Sequence, residues 1–303
     1  MWYAVGTLSR WLVFTALLIL IGAIAFRFIV LRAAEDRLPG ATGPGPSEAE
    51  AARVGAFAGL LLSFGALGRL AAQLAAFRDP FEPLLSEARL LLGATTWGTA
   101  WMAQVALGIV AWLAFSLVRR EAWAWALAVP VALAAATTPA FSGHAFGSER
   151  LTAAAVASDA VHVAAGGAWL GTLAVMASVV AAARRRGPPP TRERLVAWIG
   201  RFSPMALVSA ALIGATGAFA AWLHLDALSS LWTSPYGQRL LVKVAILGIV
   251  LAFGAWNWRR SRGRITLGGD PARLPLSVAF ELVAGAAILL ITAVLVTTPL
   301  PGE

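Results

Sequence analysis

The chain has no cysteine, one lysine, three histidines and four methionines in 303 residues. Without thiols there is no disulfide, no zinc ribbon and no thiolate relay for a soft metal. Charge is scarce as well: Asp, Glu, Lys and Arg make up 13% of the residues against 59% hydrophobic, a balance that excludes a water-soluble globule of this length. A P-loop, a nucleophile elbow and an HExxH pair are all missing, so nucleotide-driven transport and hydrolase chemistry lack their motifs. No residue is assigned a catalytic role, and the chain reads as a non-enzyme.

What is present is a succession of apolar runs long enough to cross ~30 Å of hydrocarbon. They fall at about 8–31, 54–77, 90–118, 122–141, 152–183, 202–225, 237–258 and 276–298. The expected fold is therefore all-α: a polytopic bundle of eight spans forming one membrane domain over 1–303. The glycine- and proline-rich segment Leu38–Ser47 links spans one and two, Gly187–Pro190 breaks the loop after span five, and Ser234–Gly237 turns the chain into span seven. No long polar stretch remains for a soluble domain, so a water-soluble delivery partner is expected to be a separate chain. The first 31 residues have no small-residue cleavage site, and they read as a retained helix.

The net charge of +9 reflects topology rather than nucleic-acid binding. Arg184, Arg185, Arg186, Arg192, Arg194 and Arg201 gather between spans five and six, and Arg259, Arg260, Arg262, Arg264 and Arg273 between spans seven and eight. Both loops are expected in the cytoplasm, which places both termini and the acidic loop of Asp79, Glu82 and Glu87 outside. Of thirteen tryptophans, Trp2, Trp11, Trp123, Trp125, Trp198, Trp232, Trp256 and Trp258 lie near expected interfaces and suit an aromatic belt.

The histidines share a spacing. His144 is 24 residues after Arg120, His162 is 22 before Arg184, and His224 is 23 after Arg201. On helices each imidazole then lies roughly 33–36 Å from an arginine cluster, near the opposite face. Three imidazoles at one level suggest a metal site. Asp159 and His162 are three apart and share a face that continues through Gly166, Trp169 and Leu173. They suit either a ligand pair or a hydrogen-bonded pair that fixes packing. Span five is longer than crossing requires, so their depth runs from the outer interface to the outer third of the bilayer.

His224 ends a small-residue stripe of Ala210, Gly214, Gly217 and Ala221, which favours a close neighbour, and Gly167 and Gly171 form a GxxxG suited to packing spans five and six together. An interfacial histidine exposed to headgroups is the alternative for His224. His144 follows Pro139 and falls on an outer loop, as a capturing ligand or a solvated side chain. Arg69 and Gln73 lie one turn apart in span two. Arg69 suits a snorkelling cation more than a partner of Asp159, and Lys243 in span seven is read the same way. Glu281 sits near the cytoplasmic end of span eight, as an exit group or as a carboxylate favoured by the helix dipole. Met176, two turns below Trp169, offers a thioether deeper in the bundle. Imidazole with carboxylate suits copper or zinc, whereas an all-soft cuprous path calls for more sulfur.

The run from Phe141 to Leu173, with SxHA and DxxHxxAxxxWxGxL in it, resembles the copper resistance protein D family. So do Arg201–Leu225 and Leu231–Arg260, with RFSP, TG, LWxTPYG, LLxK and N-R signatures. The resemblance covers about half the chain, chiefly 141–303, and 1–140 is less characteristic, matching loosely at Gln73, Trp97, Gly98 and Trp101. It implies an eight-helix bacterial inner-membrane protein of copper homeostasis that moves copper from the periplasm toward the cytoplasm, often with a periplasmic copper-binding partner. The family pattern falls on His144, Asp159, His162, Trp169, Gly171, His224, Tyr236, Lys243 and Glu281. The expected site is then outward-facing, with His162 and His224 as copper ligands assisted by His144 and Asp159. The rivals are a haem held between His162 and His224, and a copper sensor or assembly factor that transports nothing.

Overall fold

The computed structural model describes residues 1–31, 44–142, 151–186, 190–266 and 274–301, with side chains undescribed from 255 to 277. His144, most of the glycine–proline segment after span one, the turn at 187–189 and Arg273 lie outside what is described, as do the side chains of Arg259, Arg260, Arg262 and Arg264. Within these limits the chain is helical without a strand. Eight of its helical segments are long and apolar enough to cross a membrane.

Span one is α1 (Trp2–Ala25), extended by a π turn over Phe26–Val30. Span two is α2 (Pro46–Ala76), started by a proline whose missing N–H is not needed in the first turn. A short exposed α3 (Leu84–Ala94) precedes span three, α4 (Thr96–Val118). The expected single run over 90–118 is thus divided. Thr95 is the reason: its extended backbone ends one helix, and its hydroxyl accepts the Gly98 N–H at 2.9 Å to cap the next. Span four is α5 (Trp125–Thr137), flanked by 3-10 turns over Ala122–Ala124 and Thr138–Ser142.

Span five comprises α6 (Thr152–Gly166), a π turn over Gly167–Gly171 and α7 (Thr172–Arg186). Span six, α8 (Arg192–His224), begins ten residues before the apolar run because Thr191 caps it ahead of the membrane. A four-residue turn α9 (Ser230–Thr233) leads to span seven, α10 (Pro235–Thr266), and span eight, α11 (Leu274–Leu295).

The most buried span is α1, which packs against α2, span five and α11, while α2 packs on α4. Backbone proximity explains two of these contacts. A Cβ on Gly171 would overlap the Leu18 carbonyl of α1, and one on Gly22 would overlap the Gly171 backbone. The GxxxG of span five therefore makes its closest backbone approach to α1, while spans five and six also pack together. Likewise Gly59 of α2 would place a Cβ 2.8 Å from the Gly108 carbonyl of α4. The stripe on span six does not bring a close neighbour along its length, since a Cβ on Gly214 would meet open space. At Gly217 it does face span five, 4.0 Å from the His162 ring.

On the side of the arginine clusters, fully buried Glu48 accepts a hydrogen bond from Arg27 Nε at 2.6 Å and another from Trp125 Nε1 at 2.8 Å. This pins the ends of spans one, two and four together. Trp198 is also fully buried, edge-on to Phe26. Trp125 and Trp198 thus belong to the core and not to a belt, whereas Trp2, Trp123 and Trp232 are exposed.

Candidate metal site

At the opposite end from Glu48, seven spans surround a cavity of about 250 Å³. Helical spacing places Asp159 and His162 on one face of α6, and both line it. His224 reaches it from the last turn of α8, and Tyr236 and Lys243 from the first turns of α10. The His224 and Tyr236 rings are 6.5 Å apart and edge-on. Trp169, carried on the π turn, also contributes.

Thr216 of α8 holds the His162 ring. His162 Nδ1 is 2.8 Å from Thr216 Oγ1, and that hydroxyl is 2.6 Å from the Leu212 carbonyl one turn back. A hydroxyl has one proton, and the carbonyl can only accept, so Thr216 donates to Leu212 and accepts from His162. The proton of a neutral His162 ring is thereby assigned to Nδ1. The Nε2 lone pair is left for a ligand, the arrangement in which a metal-binding histidine is oriented by its other nitrogen.

Arg69 also lines the cavity, from α2. It is 8% exposed, donates to Gln104 Oε1 at 3.0 Å and to Ser142 Oγ at 3.0 Å, and lies over the Trp97 ring at 5.8 Å. Gln104 in turn donates to Thr138 Oγ1 at 2.8 Å. The expected snorkelling fails here because Gln104 and Ser142 hold the guanidinium inside the bundle, each accepting one hydrogen bond from it. Lys243 likewise faces the cavity instead of an interface, within electrostatic reach of Asp159 and His162.

His162, His224 and Asp159 are thus brought to one cavity, although no group of three or more His, Asp or Glu close enough to hold one ion occurs among the described residues. Met176 lies elsewhere, in the apolar core with Val175 and Val179. Glu281 does not line the cavity. Sequence reasoning missed Thr216, Arg10, Ser142 and Gln104. Gln104 carried a signal, being the one amide in the otherwise apolar α4. Thr216 carried none beyond its place in the TG pair, because its partner is on another span.

A family model described as copper resistance protein D matches residues 196–295, and one described as copper resistance protein D-like, N-terminal domain, matches residues 1–154. His224, Tyr236, Lys243 and Glu281 fall in the first range and Arg69 and His144 in the second. Asp159, His162, Trp169 and Met176 lie between the two. No curated protein and no solved structure matches the chain.

Proposed function

The chain belongs to the copper resistance protein D family, and from that premise we propose that it takes copper ions into the cavity and moves them across the membrane. On this reading it is a carrier and not an enzyme, and copper is its cargo. The observation that supports it is the convergence of His162, His224 and Asp159 on one cavity whose lining is otherwise largely apolar. His162 would bind through Nε2, with Thr216 holding its other nitrogen. Asp159 would bind directly or balance the charge of the ion. The arginine-rich segments support a cytoplasmic position for that end of the bundle; the cavity and both termini would then face the periplasm across a bacterial inner membrane, and copper would move inward. A separate periplasmic copper-binding protein would supply the ion.

The test is copper bound per purified protein, with its absorption spectrum, for the parent chain, His162→Ala and His224→Ala, followed by copper uptake into sealed vesicles. Near-stoichiometric copper lost in both variants, with accumulation in vesicles, is the expected result. Copper unchanged in both variants would remove these ligands, and a Soret band lost with either histidine would replace copper by haem. Binding without accumulation would make the protein a sensor or assembly factor.

A further inference from the structure

The cavity that collects the histidines also collects more positive charge than negative. Arg10, Arg69 and Lys243 line it, and Asp159 is its one carboxylate. With neutral imidazoles, three cations against one anion leave a formal charge of +2. Among the described residues no ion pair includes any of these four. The pairs found are Arg27–Glu48, Arg53–Glu50, Arg78–Glu87 and Arg186–Glu50, all at other places in the fold.

Inside a bilayer such an excess is costly, because water and counter-ions that would screen it are largely excluded. Arg69 shows how far the protein goes to hold its cation in place. The side chain is buried and fixed by Gln104 and Ser142, both neutral, while Gln104 is itself locked by Thr138. Two of five guanidinium donors are engaged in this way, and Nε is buried without a hydrogen-bond partner. Arg10 is near enough to Arg69 for the two like charges to repel. A bundle needing only structural cations would pair them with carboxylates, as it does at Glu48.

We propose that this cavity is an oxyanion site, in which Arg10, Arg69 and Lys243 hold a carboxylate or phosphate group alongside the two histidines. The inference goes beyond the copper reading and does not depend on it. A cavity of about 250 Å³ accommodates a small di- or tricarboxylate. The remaining guanidinium donors supply the directional hydrogen bonds that carboxylates and phosphates accept, and Lys243 adds a point charge from the facing span. The group has two sources, a free anion or the headgroup of a membrane lipid.

The experiment uses the full chain in detergent, stripped of metal by a chelator, with radiolabelled citrate and inorganic phosphate as probes. Binding is measured before and after lipid extraction, and native mass spectrometry records any retained lipid. The variants are Arg69→Gln and Lys243→Gln, with lipid-facing Leu207→Ala as control. Because Arg69→Gln disturbs the Gln104 network, Lys243→Gln keeps the test decisive if the first fails to fold.

Saturable binding of at least one probe by the parent is expected, weakened roughly tenfold or more in each well-folded cation variant, as befits loss of a charge-assisted contact, and unchanged in Leu207→Ala. Binding that appears only after extraction, with one anionic lipid lost in Lys243→Gln, supports the site and identifies the headgroup as its source. No saturable binding in either lipid state, with no retained lipid, overturns the proposal, and so does binding that Lys243→Gln leaves unaltered. Since no copper is present, failure here leaves the His162 and His224 measurements standing, and their failure leaves this one standing.

Discussion

Replacing Thr216 by valine tests whether His162 is a ligand or only a packing residue. Valine nearly preserves the shape of threonine and removes the oxygen that sits 2.8 Å from His162 Nδ1. The ring then has two options. It can keep its proton on Nδ1 with nothing to receive it, at a cost of about 1–3 kcal/mol for an unsatisfied buried donor. Or it can move the proton to Nε2, which removes the lone pair a metal would use. Both routes weaken binding, and loss of a hydrogen bond that orients a metal-binding histidine costs about 10–100-fold in affinity. The assay is a competitive copper titration against a chelator on purified Thr216→Val, with Thr216→Ser as a rescue that retains the hydroxyl. Thr216→Ser should stay within about threefold of the parent, the net value of a slightly displaced hydrogen bond. Parent-like affinity in folded Thr216→Val would refute the assignment of Nε2 as the ligating nitrogen.

Three further substitutions probe the frame that holds the site. Gly171→Ala forces a methyl group into the Leu18 carbonyl of α1, so spans one and five must separate; thermal unfolding in detergent should show about 1–3 kcal/mol lost, and an unchanged Tm would contradict the close approach. Glu48→Ala leaves the Arg27 guanidinium without its 2.6 Å partner in the bundle, a loss of about 3–5 kcal/mol, and the yield of monodisperse protein should fall well below that of Glu48→Gln, which can still accept from Trp125. Thr95→Ala removes the cap on Gly98 N–H and should cost about 1 kcal/mol, read as faster proteolysis between α3 and α4, with parent-like cleavage as the contrary result.

Span number and the face shared by Asp159 and His162 were legible because each depends on one segment alone. A run of apolar residues long enough to cross is visible in the residues that form it, and two residues three apart share a helix face whatever surrounds them. Features that needed a second segment were not legible. The GxxxG at Gly167 and Gly171 carries no mark of which helix it meets, and it meets α1. Arg69 reads as a snorkelling cation until Gln104 and Ser142 are known to lie beside it. Helix starts were misplaced for a related reason: hydropathy reports where lipid begins, whereas Thr191 and Pro46 set where hydrogen bonding begins. The break at Thr95 was in principle visible, since a threonine pair before an apolar run is a cap signal, but hydropathy ran straight across it.

The floor of the cavity limits how any ion could leave it inward. Trp169, Val250 and Ile288 line the cavity and form a buried apolar cluster, with Phe202 and Ala206 packed against it. Beyond them lie Met176, Val179 and Trp198, all buried. An ion at the level of His162 therefore faces a layer of buried apolar side chains, where a bare charge is strongly disfavoured. Inward passage requires this layer to open. Trp169 is its largest member, and it sits on the π turn between Gly167 and Gly171, whose backbone contacts α1 directly at Leu18 and Gly22. Moving Trp169 by more than a side-chain rotation would disturb that contact, because no side chain intervenes to absorb the shift. The π turn thus contributes both to the layer that closes the cavity and to the closest approach between spans one and five.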